Sequence, residues 1–242
     1  VLPSDLRSAE AESLCALQSA LDATAEGGTA SRWTIEFRFQ GLKILPLALR
    51  FGAALQEQGL PMRLLFTDAG ATALAKRDAP DLAGSIASLG DQIRLQKAAD
   101  PEAEPGAELV TELLVLVAPA LAEYEDVDTI CQQHRGAVLL LNGNLEDAAI
   151  GIGSVARQRR RGFLSTWSCA YALIPLAEAA LRRSFPDPWG LYRRDADGYR
   201  WVANFEQKPD AELQAEALKP GQTPSMADGL KALDRFLGSL SN

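Results

Sequence analysis

Two short runs of this chain, Leu113–Val117 (LLVLV) and Ala137–Leu141 (AVLLL), are apolar without interruption. A strand with one wet face alternates in polarity. A run with no polar position is suited to burial on both faces, as in a parallel sheet covered by helices. Met62–Phe66 is a third short apolar strand. It runs directly into Thr67-Asp68-Ala69-Gly70 and a helical ATALAKRD. Strand, short turn and helix make one half of a βαβ unit.

The remaining segments extend that pattern. Pro3-Ser4-Asp5 predicts a helix start with Ser4 as N-cap, a stripe of Leu6, Leu14, Leu17 and Leu21, and a stop at Gly27-Gly28. In Arg32–Phe39, Trp33, Ile35, Phe37 and Phe39 alternate with polar residues, which predicts a strand with one wet face. Leu45–Gln58 reads as a helix that tolerates Pro46 in its first turn. Asp81–Leu89 predicts a helical turn, Gln92–Leu95 a weak strand, Ala98–Ala107 a solvated loop and Val127–Gln133 a helix. After Leu164 come Ala170–Leu176, Ala180–Phe185, Trp189–Arg194 and Tyr199–Phe205, short runs separated by Pro, Asp and Gly. They predict an antiparallel meander.

The expected class is therefore α/β. A sheet carries helices on its faces, with parallel βα units in the N-terminal part and an antiparallel strand meander in the C-terminal part. Four short strands alone would bury little core, so residues 1–209 are taken as one domain. Residues 210–242 are expected to form a linker and an amphipathic helix, Ser225–Leu240, with Leu230, Leu233, Phe236 and Leu237 on one stripe.

Composition narrows the function. The 242 residues carry a net charge of −8, which disfavours nucleic-acid binding. No apolar run approaches the roughly 20 residues of a membrane span. The N-terminus shows no basic-then-apolar signal pattern, although it could be the mature end after a removed leader. Three scattered cysteines argue against a disulfide framework. Cys131-x-x-His134 has ligand-like spacing but no second pair, so no metal site and no cofactor are expected.

Against that acidic background, Arg157, Arg159, Arg160 and Arg161 put four arginines in five residues. On a helix, Arg157, Arg160 and Arg161 share one face, and Arg159 points elsewhere. Such a face is most simply solvated and paired with carboxylates; otherwise it suits a phosphate, a lipid headgroup or an acidic protein surface. Gly151-Ile152-Gly153 lies just before it but lacks the third glycine of a dinucleotide fingerprint. Ser165 and Thr166 follow it, with no base in the sequence to make a triad. Gly151, Gly153, Arg157, Arg160, Arg161, Ser165 and Thr166 are thus the candidate anion or partner site. A second candidate is a crevice at the carboxyl ends of the strands, formed by Asp68, Gly70, Arg77 and Asn142. The simpler expectation for Asp68 is a helix cap, and for Arg77-Asp78 a helix end. Asn144 with Asp147 resembles a capping box.

Several of these segments together resemble a domain of unknown function found in cyanobacteria and in chloroplasts of plants and algae. The resemblance rests on Leu2-Pro3-Ser4, Trp33–Phe39, Leu42-Lys43 and Phe66-Thr67-Asp68-Ala69-Gly70 followed by Ala73-Leu74-Ala75 and Arg77-Asp78. It continues through Leu141-Asn142, Leu145, Asp147, Gly151-Ile152-Gly153, Arg157 and Arg161-x-Phe163-Leu164-Ser165-Thr166, then Pro188-Trp189, Gly198-Tyr199 and Phe205-Glu206-x-Lys208-Pro209. Thr67 and Gly143 stand where the family commonly has proline. Plant relatives include factors needed for photosystem II accumulation, and a similar module is fused to a chloroplast adenylate kinase. The resemblance implies no catalytic residue.

Two expectations follow. The first is a non-enzymatic auxiliary or assembly factor for photosynthetic complexes, cytoplasmic in a cyanobacterium or stromal in a chloroplast. Its partners would be complex subunits or their assembly factors, with peripheral thylakoid contact left open. The second is an α/β domain that binds, or acts on, a phosphorylated small molecule or nucleotide.

Overall fold

The computed structural model describes residues 2–25, 32–98, 112–145 and 155–219. Nine strands form one sheet in the order β3-β2-β4-β5-β1-β6-β7-β8-β9. They are β1 Arg32–Phe37, β2 Met62–Phe66, β3 Ile86–Ser88, β4 Leu113–Val117, β5 Val138–Leu141, β6 Ser168–Pro175, β7 Ala179–Ser184, β8 Trp189–Asp195 and β9 Gly198–Phe205. The first six are mutually parallel. The last three add antiparallel to β6 as the expected meander.

The helices are α1 Leu6–Ala25, α2 Ile44–Glu57, α3 Ala69–Asp78, α4 Leu89–Ala98, α5 Tyr124–Gln133, α6 Val155–Leu164 and α7 Ala211–Ala217. Helices α2 and α3 carry the chain outward from β1 to β2 and β3. With α1 they cover one face, over Ile35, Phe37, Leu64, Val115 and Leu139. Helices α4, α5 and α6 carry it back through β4 and β5 to β6. They cover the other face, where Leu114, Leu116, Val138 and Leu140 meet Leu89, Val127, Ile130 and Phe163. Reversing direction while changing face keeps every crossover right-handed. Cover on both sides explains why β4 and β5 have no polar position: all their residues are buried. Further out, Ala217 and Leu218 at the end of α7 pack on Leu181, Trp189 and Leu191 of the meander.

Two local expectations are corrected. Gln92–Leu95 lies inside α4, and the strand of that region is Ile86–Ser88. The Ser88 hydroxyl donates to Asp91 and accepts from the Asp91 N–H, which starts the helix there. A window of four residues was too short for its period to show this. At the N-terminus the cap of α1 is Asp5, not Ser4: its carboxylate accepts from the Ser8 N–H at 2.8 Å. The stop at Gly27-Gly28, the loop beyond Ala98 and the helix Ser225–Leu240 lie outside the described residues. Asp210 caps α7, its side chain accepting from the Leu213 N–H.

The fit of α2 on the sheet makes one expected result specific. A Cβ on Gly52 would stand 2.7 Å from Leu64 Cδ1 and 3.3 Å from its Cγ. Leu64 is fully buried and has no solvent to turn into. Gly52→Ala gains about 1 kcal/mol of helix propensity but overpacks the core at a cost of about 1–3 kcal/mol. A net loss near 1 kcal/mol is expected in thermal melts. A stabilised variant would show that Leu64 repacks freely.

Candidate functional site

In a parallel sheet, every strand ends at the same edge, and ligands commonly sit there between neighbours whose connections leave toward opposite faces. Strands β5 and β1 are such neighbours: β5 leads to α6 on one face and β1 to α2 on the other. Asn142 is the first residue past β5. Its backbone is left-handed, with φ 57°, a conformation asparagine tolerates better than most residues. That twist turns the carboxamide across to β1. Its Oδ1 accepts from the Phe37 N–H at 2.7 Å, and its Nδ2 donates to the Phe37 carbonyl at 2.9 Å. The side chain thus continues the sheet ladder where the strands diverge. Arg38 closes the same mouth by donating to the Gly143 carbonyl at 2.8 Å.

Asp68 follows β2 at this edge. Strand β4 lies between β2 and β5, so the ends of β2 and β5 are about 10 Å apart by strand spacing. The expected common edge is present, but the two side chains serve separate local ends. Asp68 caps α3, accepting from the Ala71 N–H at 2.8 Å. That bond holds its carboxyl below the usual range. Gly70 sits beside the cap, where a Cβ would be 3.1 Å from Asp68 Oδ1. Arg77 is corrected out of the crevice. It lies at the far end of α3, about 14 Å along the helix axis from Asp68, and pairs with Asp78 at 2.8 Å.

The arginine-rich segment is rearranged too. Gly151 and Gly153 lie outside the described residues, as do the Arg157 side chain and Asp147. Of Asn144, the backbone is bridged to Ala120. Helix α6 rests on α5 through Phe163, whose ring meets Tyr124 edge-on at 5.4 Å and Trp167 at 5.8 Å. Arg159, which the helical wheel set apart, forms an ion pair with Asp128 of α5, a carboxylate that is almost fully buried. Arg160 lies 5.9 Å from the centre of the Tyr124 ring. Arg161 is exposed. Of the face expected of Arg157, Arg160 and Arg161, the two described side chains differ: Arg160 lies against an aromatic ring and Arg161 faces solvent. The reason is tertiary: α5 supplies an acid and an aromatic ring to one flank of α6.

Ser165 and Thr166 close the C-terminal end of α6. The Ser165 hydroxyl donates to the Gly162 carbonyl, and the Thr166 hydroxyl to that of Phe163. Thr166 also accepts from Arg32 at 2.9 Å, and the Arg32 guanidinium stands 5.1 Å from the Phe163 ring centre. Arg32 opens β1, so this group sits at the amino edge of the sheet, opposite Asn142. The Ser165–Thr166 end of the candidate anion site is thereby separated from the crevice by the height of the sheet. Sequence reasoning saw Arg32 only as a wet position of β1.

His134 is at that amino edge as well. Its Nε2–H donates to the Glu112 carbonyl at 3.0 Å. Desolvation lowers its pKa below the ordinary 6.5, outweighing the hydrogen bonds that raise it. The unfolded chain then binds the proton more readily than the folded one. Stability from this group is complete above pH about 6.5 and falls as pH drops through the folded pKa. Urea midpoints should decline over that window in the wild type and less in His134→Gln. Equal slopes would remove the histidine from acid sensitivity.

A hollow lies elsewhere, on the α1 side of the meander. It has a volume of about 360 Å³ and is lined by Arg182, Asp187, Gly190, Tyr192, Trp201 and Asn204. The aromatic residues of β8 and β9, Tyr192 and Trp201, were the available signal.

The family model for a domain of unknown function, DUF1995, matches residues 3–216. The chain belongs to this family. No curated protein matches it. The DUF1995 match spans every strand and enters α7, past the boundary expected at residue 209. It therefore includes both sheet edges and the meander. Among the described residues, no helix is long and apolar enough to cross a membrane. All three cysteines are unpaired.

Proposed function

We propose that the protein is a non-enzymatic auxiliary factor that acts through protein–protein contact, serving photosynthetic complexes at or near the thylakoid. The observation that carries this reading is the outer edge of β9. Among the described residues, the strand Gly198–Phe205 pairs on one side only, with β8. Tyr199 and Trp201 on that strand are 44% and 54% exposed. An unpaired backbone edge with exposed aromatic residues suits an extended segment of a partner, which would gain main-chain hydrogen bonds and apolar contact together. The resemblance to photosystem II accumulation factors supports the choice of partner class. The Asn142 carboxamide at the β1/β5 crevice is already bonded to Phe37, which favours this reading over a small-molecule one.

The test is crosslinking and affinity purification from a photosynthetic cell, with wild type and Tyr199→Lys in parallel. A charge on the edge opposes strand addition. Photosystem or pigment-complex assembly subunits should be recovered with wild type and lost with the folded variant. Equal recovery with both would remove the β9 edge, and recovery of neither class of subunit would remove the reading.

A further inference from the structure

We propose that the hollow on the meander is a saccharide-binding site. Its construction begins with registry. Arg182 of β7, Gly190 of β8 and Asn204 of β9 stand in one cross-strand row, and Tyr192 faces Trp201 in the next. Gly190 leaves a gap in its row, and the Tyr192 ring lies down into it. A Cβ at residue 190 would be 3.0 Å from Tyr192 Cε2 and 3.4 Å from its hydroxyl. Tyr192 becomes a floor that is only 7% exposed, while Trp201 stands at the rim. The Trp201 indole N–H donates to Asn204 Oδ1 at 2.9 Å, which fixes the ring. The same bond assigns the amide, so Nδ2 remains the donor of Asn204. Arg182 is held in place by donating to Glu12 of α1 at 3.1 Å. Asp187, in the β7–β8 turn, adds an exposed carboxylate.

The chemistry of the lining selects the ligand. Aromatic faces carry negative charge density and attract the weakly positive C–H bonds of a sugar ring. Vicinal hydroxyls both donate and accept. The lining offers donors, Arg182 and the Asn204 amide, and acceptors, Asp187 and the Tyr192 hydroxyl. Arg182 is paired with Glu12 and Asp187 stands nearby, so the lining presents both signs of charge. A phosphate would meet the Asp187 carboxylate, and a quaternary ammonium would meet the Arg182 guanidinium. A neutral polyhydroxylated ring meets neither conflict. The volume falls at the lower end of ordinary small-ligand sites.

The experiment follows the indole N–H signals of the whole protein by NMR. Methyl glucoside, methyl galactoside, maltose and lactose are titrated, with uridine monophosphate and tetramethylammonium as controls. At least one saccharide should shift the Trp201 signal saturably, while Trp33 and Trp167 stay in place. Trp201→Ala should abolish binding, and Asp187→Asn should weaken it about tenfold, a loss of about 1.4 kcal/mol. Gly190→Ala, which lifts the Tyr192 floor, should also abolish it. If Trp201→Ala does not fold, Asp187→Asn decides alone. Phosphatidylcholine vesicles carrying a glycosylated lipid separate a lipid headgroup from a free sugar; binding to either supports the site. No saturable shift with any saccharide, a response to the controls only, or binding that survives in every folded variant would overturn it.

Discussion

Asn142→Ala is expected to destabilise the fold by about 3 kcal/mol or more. The carboxamide satisfies both the N–H and the C=O of Phe37, a residue with 1% exposure. Removing it strands two covered backbone groups at about 1–3 kcal/mol each. Alanine must also hold φ 57°, which costs about 1–2 kcal/mol in the left-handed region. Asn142→Gly removes only the second cost and should fall between alanine and wild type. Asn142→Asp places a carboxylate oxygen against the Phe37 carbonyl, so it should be as damaging as alanine at neutral pH. Urea unfolding midpoints order the four proteins. If alanine and glycine both stay within about 0.5 kcal/mol of wild type, the carboxamide does not hold β1 to β5, and the crevice is open to a ligand.

Phe163→Ala should cost about 3–5 kcal/mol, the usual range for emptying a buried aromatic position. Phe163 touches Tyr124, Trp167 and Arg32, so it joins α5, the end of α6 and the start of β1. Arg161→Gln, two residues earlier and exposed, should change stability by less than about 0.5 kcal/mol. The contrast locates the seat of α6 in its aromatic ring and leaves Arg161 available for contact with an acidic surface. Chemical denaturation of both variants measures it. A costly Arg161→Gln with a mild Phe163→Ala would reverse the assignment and make the basic face structural.

Much of the architecture was legible because burial on two faces leaves a plain mark. LLVLV and VLLL have no polar position, and such strands belong only between two helical layers. The βα turn at Thr67-Asp68 and the alternation of Arg32–Phe37 were equally local and equally readable. The meander was legible from its spacing of Pro, Asp and Gly. Short windows failed where two periods compete, as at Gln92–Leu95, which is helical because Ser88 and Asp91 cap it.

The candidate sites were less legible, because a site depends on distances between segments far apart in the chain. A helical wheel grouped Arg157, Arg160 and Arg161 by angle alone. It could not show that Asp128, some thirty residues earlier, would pair with Arg159, or that Tyr124 would lie beside Arg160. Asn142 was found as a residue at a strand end, but its role required knowing that β1, a hundred residues earlier, is the neighbour of β5. The hollow over Gly190 needed three strands in register before it existed. Sequence by itself determined most of the strands and helices, though not Ile86–Ser88 and the helix after it, because burial period and capping act over a few residues. Tertiary structure alone decided which strands are neighbours, and hence which polar groups are spent on the fold and which still face solvent. Those choices are set by packing over both faces of the sheet, and no local stretch of sequence records them.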